Sequence, residues 1–126
     1  MLNETKYIFL NTNSREFEFN GQVPGIKWLD EQLQPADDFN NAIVLFHVPP
    51  QSNDFDQQLK NTFYESLTKH QNVLMGIHGH LHHHDIYRPQ EENQQLVFIN
   101  IYAISYMKYN IIRIFKNEYS IDTLQI

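Results

Sequence analysis

The sequence predicts an α/β domain built on a mixed sheet with helices on one face. Three observations carry that expectation. Two continuous apolar runs, 41–46 and 73–77, have the composition of strands covered on both faces. Between them Phe55, Leu59, Phe63 and Leu67 recur every four positions, as one face of a helix does. Three later segments, 96–103, 109–115 and 119–126, then read as strands.

In chain order, Lys6-Tyr-Ile-Phe-Leu10 reads as a strand ended by the polar stretch Asn11 to Arg15. Phe17 and Phe19 alternate before the turn signal Asn20-Gly21, the spacing of a short second strand. Ile26, Trp28, Leu29 and Leu33 predict a helix around 25–34, ended by Pro35. The run 41–46 is stopped by Pro49 and Pro50, and a helix over 54–69 follows with Asn53 or Asp54 as its N-cap. His70 suits the carboxyl end of that helix. Val73 to Ile77 is the next strand, so 42–77 forms a β-α-β unit with parallel strands and a right-handed crossover. Pro89 to Gln95 is a polar loop. Leu96 to Ala103, Tyr109 to Phe115 and Tyr119 to Ile126 are expected strands, the last two joined by a turn at Lys116-Asn117-Glu118. No repeat or linker divides the chain, and 1–126 is expected to be a single domain.

Composition limits the function classes. Fifteen acidic residues against nine basic ones give a net charge of −6, which argues against a broad nucleic-acid-binding surface. No apolar run approaches the roughly 20 residues of a membrane helix, and the first residues carry no signal-peptide pattern. A cytoplasmic location is the default expectation. With no cysteine, the chain has neither disulfides nor thiolate zinc sites. Any metal must sit on histidine and oxygen ligands.

Five of the seven histidines lie between 78 and 84, in Gly76-Ile-His-Gly-His-Leu-His-His-His84. Imidazole is the commonest biological ligand for borderline metals, and its neutral form is available at physiological pH. His47 directly follows the strand 41–46, and His80 and His82 closely follow the strand 73–77. Open α/β sheets bind ligands at the carboxyl ends of their strands, so two parallel strands deliver these three histidines to one edge. His80 and His82 are two apart and would share a side in extended backbone, with Leu81 turned away and Gly79 permitting a tight turn. Such a pair could serve two ions about 3.5–4 Å apart, as in binuclear hydrolytic sites. His78 shares their parity but sits nearer the strand. His83 and His84 are read as solvent-exposed or supporting residues. A lone histidine after a strand, like His47, is ordinarily structural, and only its convergence with His80 and His82 points to a metal.

Phe46-His47-Val48-Pro49-Pro50 resembles the His-x-Pro motif of calcineurin-like metallophosphoesterases, and Gly79-His80-Leu81-His82 resembles their Gly-His-x-His motif. One helix and one strand separate the two, as in that family. Upstream, Tyr7-Ile-Phe-Leu10, Gly21-Gln22 and Trp28-Leu29 resemble its segment of strand, turn and Trp-Leu helix. The resemblance covers most of the chain. It implies the C-terminal half of a four-layer α/β sandwich hydrolysing phosphomono- or phosphodiesters with two divalent ions (Mn, Fe or Zn). It also implies that His47 and His80 bind one ion and His82 the other. The family's Asp-x-His, Gly-Asp-x-x-Asp and Gly-Asn-His-Asp/Glu motifs are expected before residue 1, and none occurs in this sequence. Neutral imidazoles leave the charge of two ions uncompensated, so the chain alone is expected to hold at most one ion, weakly, and to be inactive.

Three other readings compete. A metallo-β-lactamase-like hydrolase would need an aspartate where His82 stands and histidines after His84, and a cupin would lack the helix at 54–69. From a different class, a non-catalytic binding or regulatory module could retain such a half-domain. The expected partners are a phosphoester substrate and a second copy of the chain, docked through the apolar face that a half-sandwich exposes.

Overall fold

The protein is described by a computed structural model covering residues 4–90, 92, 95–101, 103, 107–115 and 118–125. The elements are β1 (Thr5–Leu10), α1 (Ile26–Leu33), β2 (Asn41–Phe46), α2 (Lys60–Lys69), β3 (Val73–His78), β4 (Asp85–Tyr87), β5 (Phe98–Asn100), β6 (Lys108–Phe115) and β7 (Glu118–Gln125). Short 3-10 turns occupy Ser14–Phe17 and Gln57–Leu59. The main sheet has the order β1-β2-β3-β5-β4, in which the first four are parallel and β4 runs antiparallel to β5. The hairpin β6-β7 is a separate two-stranded sheet. The architecture is therefore α/β with a mixed sheet and two helices.

Side chains alternate across a strand, and this sheet buries both faces. Ile8, Leu10, Ala42, Val44, Phe46 and Phe98 turn to one side, against Leu29 and Leu33 of α1 and Phe63, Tyr64 and Leu67 of α2. Ile43, Met75 and Ile99 turn to the other, where Ile112, Ile114, Tyr119 and Ile121 of the hairpin cover them. The helices thus share one face as expected, and the hairpin closes the opposite face instead of extending the sheet. Each large apolar side chain so buried contributes about 1.5–3 kcal/mol. Asp30 of α1 ties the helix layer together, accepting hydrogen bonds from the Ser66 hydroxyl (2.5 Å) and Lys69 (3.0 Å) of α2. No helix among the described residues is long and apolar enough to cross a membrane.

Three expectations need correction. The segment around Phe17 and Phe19 is no strand; it is the 3-10 turn at Ser14–Phe17, followed by Glu18 and Phe19, both at φ 54°. Polar anchors decide its path, because buried Thr12 accepts from the Val48 amide (2.9 Å) and buried Ser14 donates to the Val23 carbonyl (2.5 Å). The helix expected over 54–69 begins only at Lys60. Asp54 does not cap it, since its carboxylate is engaged by Arg15 and His80; Asp56 caps the preceding 3-10 turn through the Gln58 amide (3.1 Å). Phe55 still enters the core, 1% exposed, but from a loop. The strand expected over 96–103 is only Phe98–Asn100, and β4 at Asp85–Tyr87 had no counterpart in the sequence reading. Tyr102, Lys116, Asn117 and Ile126 lie outside the described residues.

Gly76, two residues before His78, is closely packed by aromatic rings. A Cβ there would lie 2.7 and 2.8 Å from two ring atoms of Phe98 and 3.1 Å from the ring of Phe46. Both rings are themselves packed, Phe98 being fully buried and Phe46 edge-on to Phe63 at 5.4 Å. Gly76→Ala is therefore expected to destabilise the fold by about 1–3 kcal/mol through overpacking, measured by denaturant unfolding. An unchanged midpoint would mean that the rings have room to shift.

Candidate metal centre

The register of the parallel strands builds the site. Phe46 of β2 pairs with His78 of β3, so the residues leaving the two strands emerge side by side. His47 follows β2 and is exposed, and His80 follows β3 by two positions and is partly buried. Their rings meet edge to face, with centroids 5.2 Å apart and planes at 84°.

The backbone between His80 and His82 is not extended. His80 has φ 74° and His82 φ 56°, and the Leu81 amide donates back to the Gly79 carbonyl (2.9 Å). The parity argument for a shared side therefore fails. Gly79 is also not the residue that makes the turn, and a Cβ on it would meet the His47 ring at an ordinary 3.5 Å. Left-handed backbone at a residue with a Cβ costs about 1–2 kcal/mol, and two such histidines, separated by Leu81, concentrate strain just beyond the end of β3.

Asp54 completes the local arrangement. Its Oδ2 lies 3.1 Å from His80 Nε2, and its Oδ1 accepts from Arg15 at 3.0 Å. A carboxylate on one ring nitrogen fixes the tautomer and leaves the other lone pair for a metal, the usual support of a ligating histidine. With Asp54 beside Nε2 at ion-pair distance, Nδ1 is the nitrogen that would be offered to a metal. Sequence reasoning missed this role, because Asp54 fits the pattern of a helix cap; an acidic residue a few positions after His47-Val48-Pro49-Pro50 was the available signal.

His78 is not a ligand in this arrangement. It is 1% exposed, its Nδ1 lies 2.9 Å from the Gly79 carbonyl, and its Nε2 lies 2.6 Å from the Tyr87 hydroxyl. A carbonyl only accepts, so Nδ1 carries the proton and the Nε2 lone pair receives the Tyr87 O–H. The Tyr87 oxygen in turn accepts from Gln51 Nε2 (2.7 Å). Burial pushes the His78 pKa down to about 4, so the ring stays neutral and both nitrogens are engaged. Burial likewise pushes the Tyr87 phenol well above its ordinary value. Phe46 stacks on the His78 ring at 5.5 Å, joining this polar chain to the core.

The remaining histidines are placed as follows. His82 is exposed and, among the described residues, makes no hydrogen bond or ring contact. His83 is exposed with Nδ1 3.1 Å from the Leu81 carbonyl, and His84 Nε2 lies 3.3 Å from the Thr123 hydroxyl of β7. His70 is remote, at Asp30 (3.3 Å). Among the described residues no three His, Asp or Glu side chains gather into a complete cage. The donor chemistry fits one ion held by His47 and His80, with oxygen ligands filling the rest of its shell.

The surroundings are partly apolar. A hollow of about 440 Å³ beside His47 is lined by Phe9, Leu10, Asn11, Leu45 and Phe46. A larger cavity, about 790 Å³, lies at the opposite, amino ends of the strands, where Asn41, Asn72 and Arg88 are among its lining residues, and it includes none of the histidines. Asn100, fully buried at the carboxyl end of β5 and paired in register with His78, has no hydrogen-bond partner for its side-chain amide among the described residues.

No family model, curated protein or solved structure matches the chain. Tyr87→Phe tests the polar chain. Removing the hydroxyl leaves His78 Nε2 buried without a donor, and a loss of about 1–3 kcal/mol in unfolding free energy is expected. A variant as stable as the parent would show that this bond does not anchor His78.

Proposed function

We propose that the chain is the C-terminal portion of a dinuclear-metal phosphoesterase that hydrolyses phosphomono- or phosphodiesters. One observation carries the reading. His47 and His80 meet ring to ring at the carboxyl ends of two adjacent parallel strands, with Asp54 on the outer nitrogen of His80. That is the support a ligating imidazole needs, and it is where open α/β sheets bind their ligands.

In this reading His47 and His80 hold one divalent ion (Mn, Fe or Zn), and His82, at the exposed rim, is offered to a second. A bound divalent ion supplies Lewis-acid polarisation of phosphoryl oxygens and lowers the pKa of an attacking water. Asp54 orients His80 and adds negative charge behind it. The neutral His78, locked between Gly79 and Tyr87, anchors the start of the ligand loop without competing for the ion. The bridging carboxylate and the proton donor for the leaving group come from outside this sequence. The sheet edge at β1, where Phe9 is 74% and Tyr7 56% exposed, offers an apolar face for the missing half or for a second copy of the chain. A second reading, a non-catalytic binding or regulatory module, is favoured by the absence of Asp-x-His and Gly-Asn-His-Asp from the sequence.

Titration calorimetry with Mn²⁺ tests the proposal. One ion, bound weakly, is expected; His80→Ala and His47→Ala should each weaken the binding and together abolish it, and His84→Ala should leave it unchanged. Binding that survives both substitutions would sink the assignment. Robust hydrolysis of p-nitrophenyl phosphate by this chain alone would contradict its being incomplete.

A further inference from the structure

Resting on the metal reading above, one side chain beside the histidines remains without a role. Arg15 stands on the loop after β1, 73% exposed, and donates through one nitrogen to Asp54 Oδ1 at 3.0 Å. The other oxygen of the same carboxylate is on His80 Nε2, at 3.1 Å. A guanidinium has five N–H donors in a planar fork, and the remaining donors of Arg15 have no partner among the described residues. A single exposed ion pair of this kind contributes little to stability, at most about 1 kcal/mol. Its placement is better explained by what it presents.

The loop that carries Arg15 is fixed against the ligand-bearing segment at three points. The Val48 amide, next to His47, donates to buried Thr12 (2.9 Å). Arg15 itself reaches Asp54, and the Gly21 amide donates to Asp56 Oδ2 (3.0 Å). These bonds hold the guanidinium one carboxylate away from His80 before any ligand arrives. In a chain with a net charge of −6, a positioned cation at that edge also opposes the general repulsion of anions.

We propose that Arg15 is the phosphate-binding residue of this centre, donating its unused N–H groups to phosphoryl oxygens held beside His47 and His80. Asp54 is the positioning residue that couples the two, since one carboxylate sets both the guanidinium and the imidazole. The fork geometry of arginine, rather than charge alone, is the operative feature, because it matches two oxygens of a phosphoryl group.

The experiment uses the whole chain, Mn²⁺ and inorganic phosphate. Calorimetry first measures Mn²⁺ binding, then phosphate binding to the Mn²⁺-saturated protein, for the parent, Arg15→Met and Arg15→Lys. Arg15→Met is expected to weaken phosphate binding by about tenfold or more while Mn²⁺ affinity stays the same. Arg15→Lys should recover only part of that loss. Phosphate affinity unchanged in Arg15→Met, or fully recovered in Arg15→Lys, with Mn²⁺ binding intact would overturn the role of Arg15 or of its fork and leave the metal assignment standing. A parent protein that binds Mn²⁺ but no phosphate would do the same. Failure of the parent to bind Mn²⁺ would overturn both.

Discussion

The parallel pairing of β2 with β3 is the constraint on which the rest depends. Because Phe46 and His78 occupy paired positions, every residue that leaves these strands does so at one edge. A one-residue slip would exchange the faces, sending Phe46 and Val44 away from the helices and Ile43 away from the hairpin. The register that buries two cores is thus the same one that brings His47 to His80. Stability and site geometry are not separate problems here.

The edge also separates two kinds of histidine. His78 lies within the sheet, stacked on Phe46, and both its nitrogens are hydrogen-bonded; burial keeps it neutral. His80 lies two residues on, where the backbone has turned left-handed and its neighbours are the Asp54 carboxylate and the His47 ring. The same residue type becomes a core element in one place and a partly exposed ring beside a carboxylate in the other. Sequence density made the five histidines look alike, but packing divides them.

Much of the scaffold was legible in the sequence. The continuous apolar runs at 41–46 and 73–77 have the pattern of covered strands and are strands, and the spacing of Leu29 and Leu33 matches the buried face of α1. What was not legible involved polar side chains acting at a distance. Thr12 and Ser14 override the alternation of Phe17 and Phe19, and Asp54 leaves the helix start for Arg15 and His80. A three-residue strand such as Asp85–Tyr87 has too short a pattern to be seen without its partner, β5. Of the site, the approach of His47 to His80 was foreseeable from strand order. The conformation of His82 was not, since two left-handed histidines follow from no local preference.

X-ray absorption at the zinc edge tests the central claim most directly, because it reports the ligands themselves. The zinc-loaded chain should show nitrogen and oxygen scatterers at about 2.0–2.1 Å with the outer-shell pattern of two imidazoles, falling to one in His47→Ala. An imidazole contribution that is absent, or that is unchanged when His47 is removed, would contradict the pairing of His47 with His80 at a single ion.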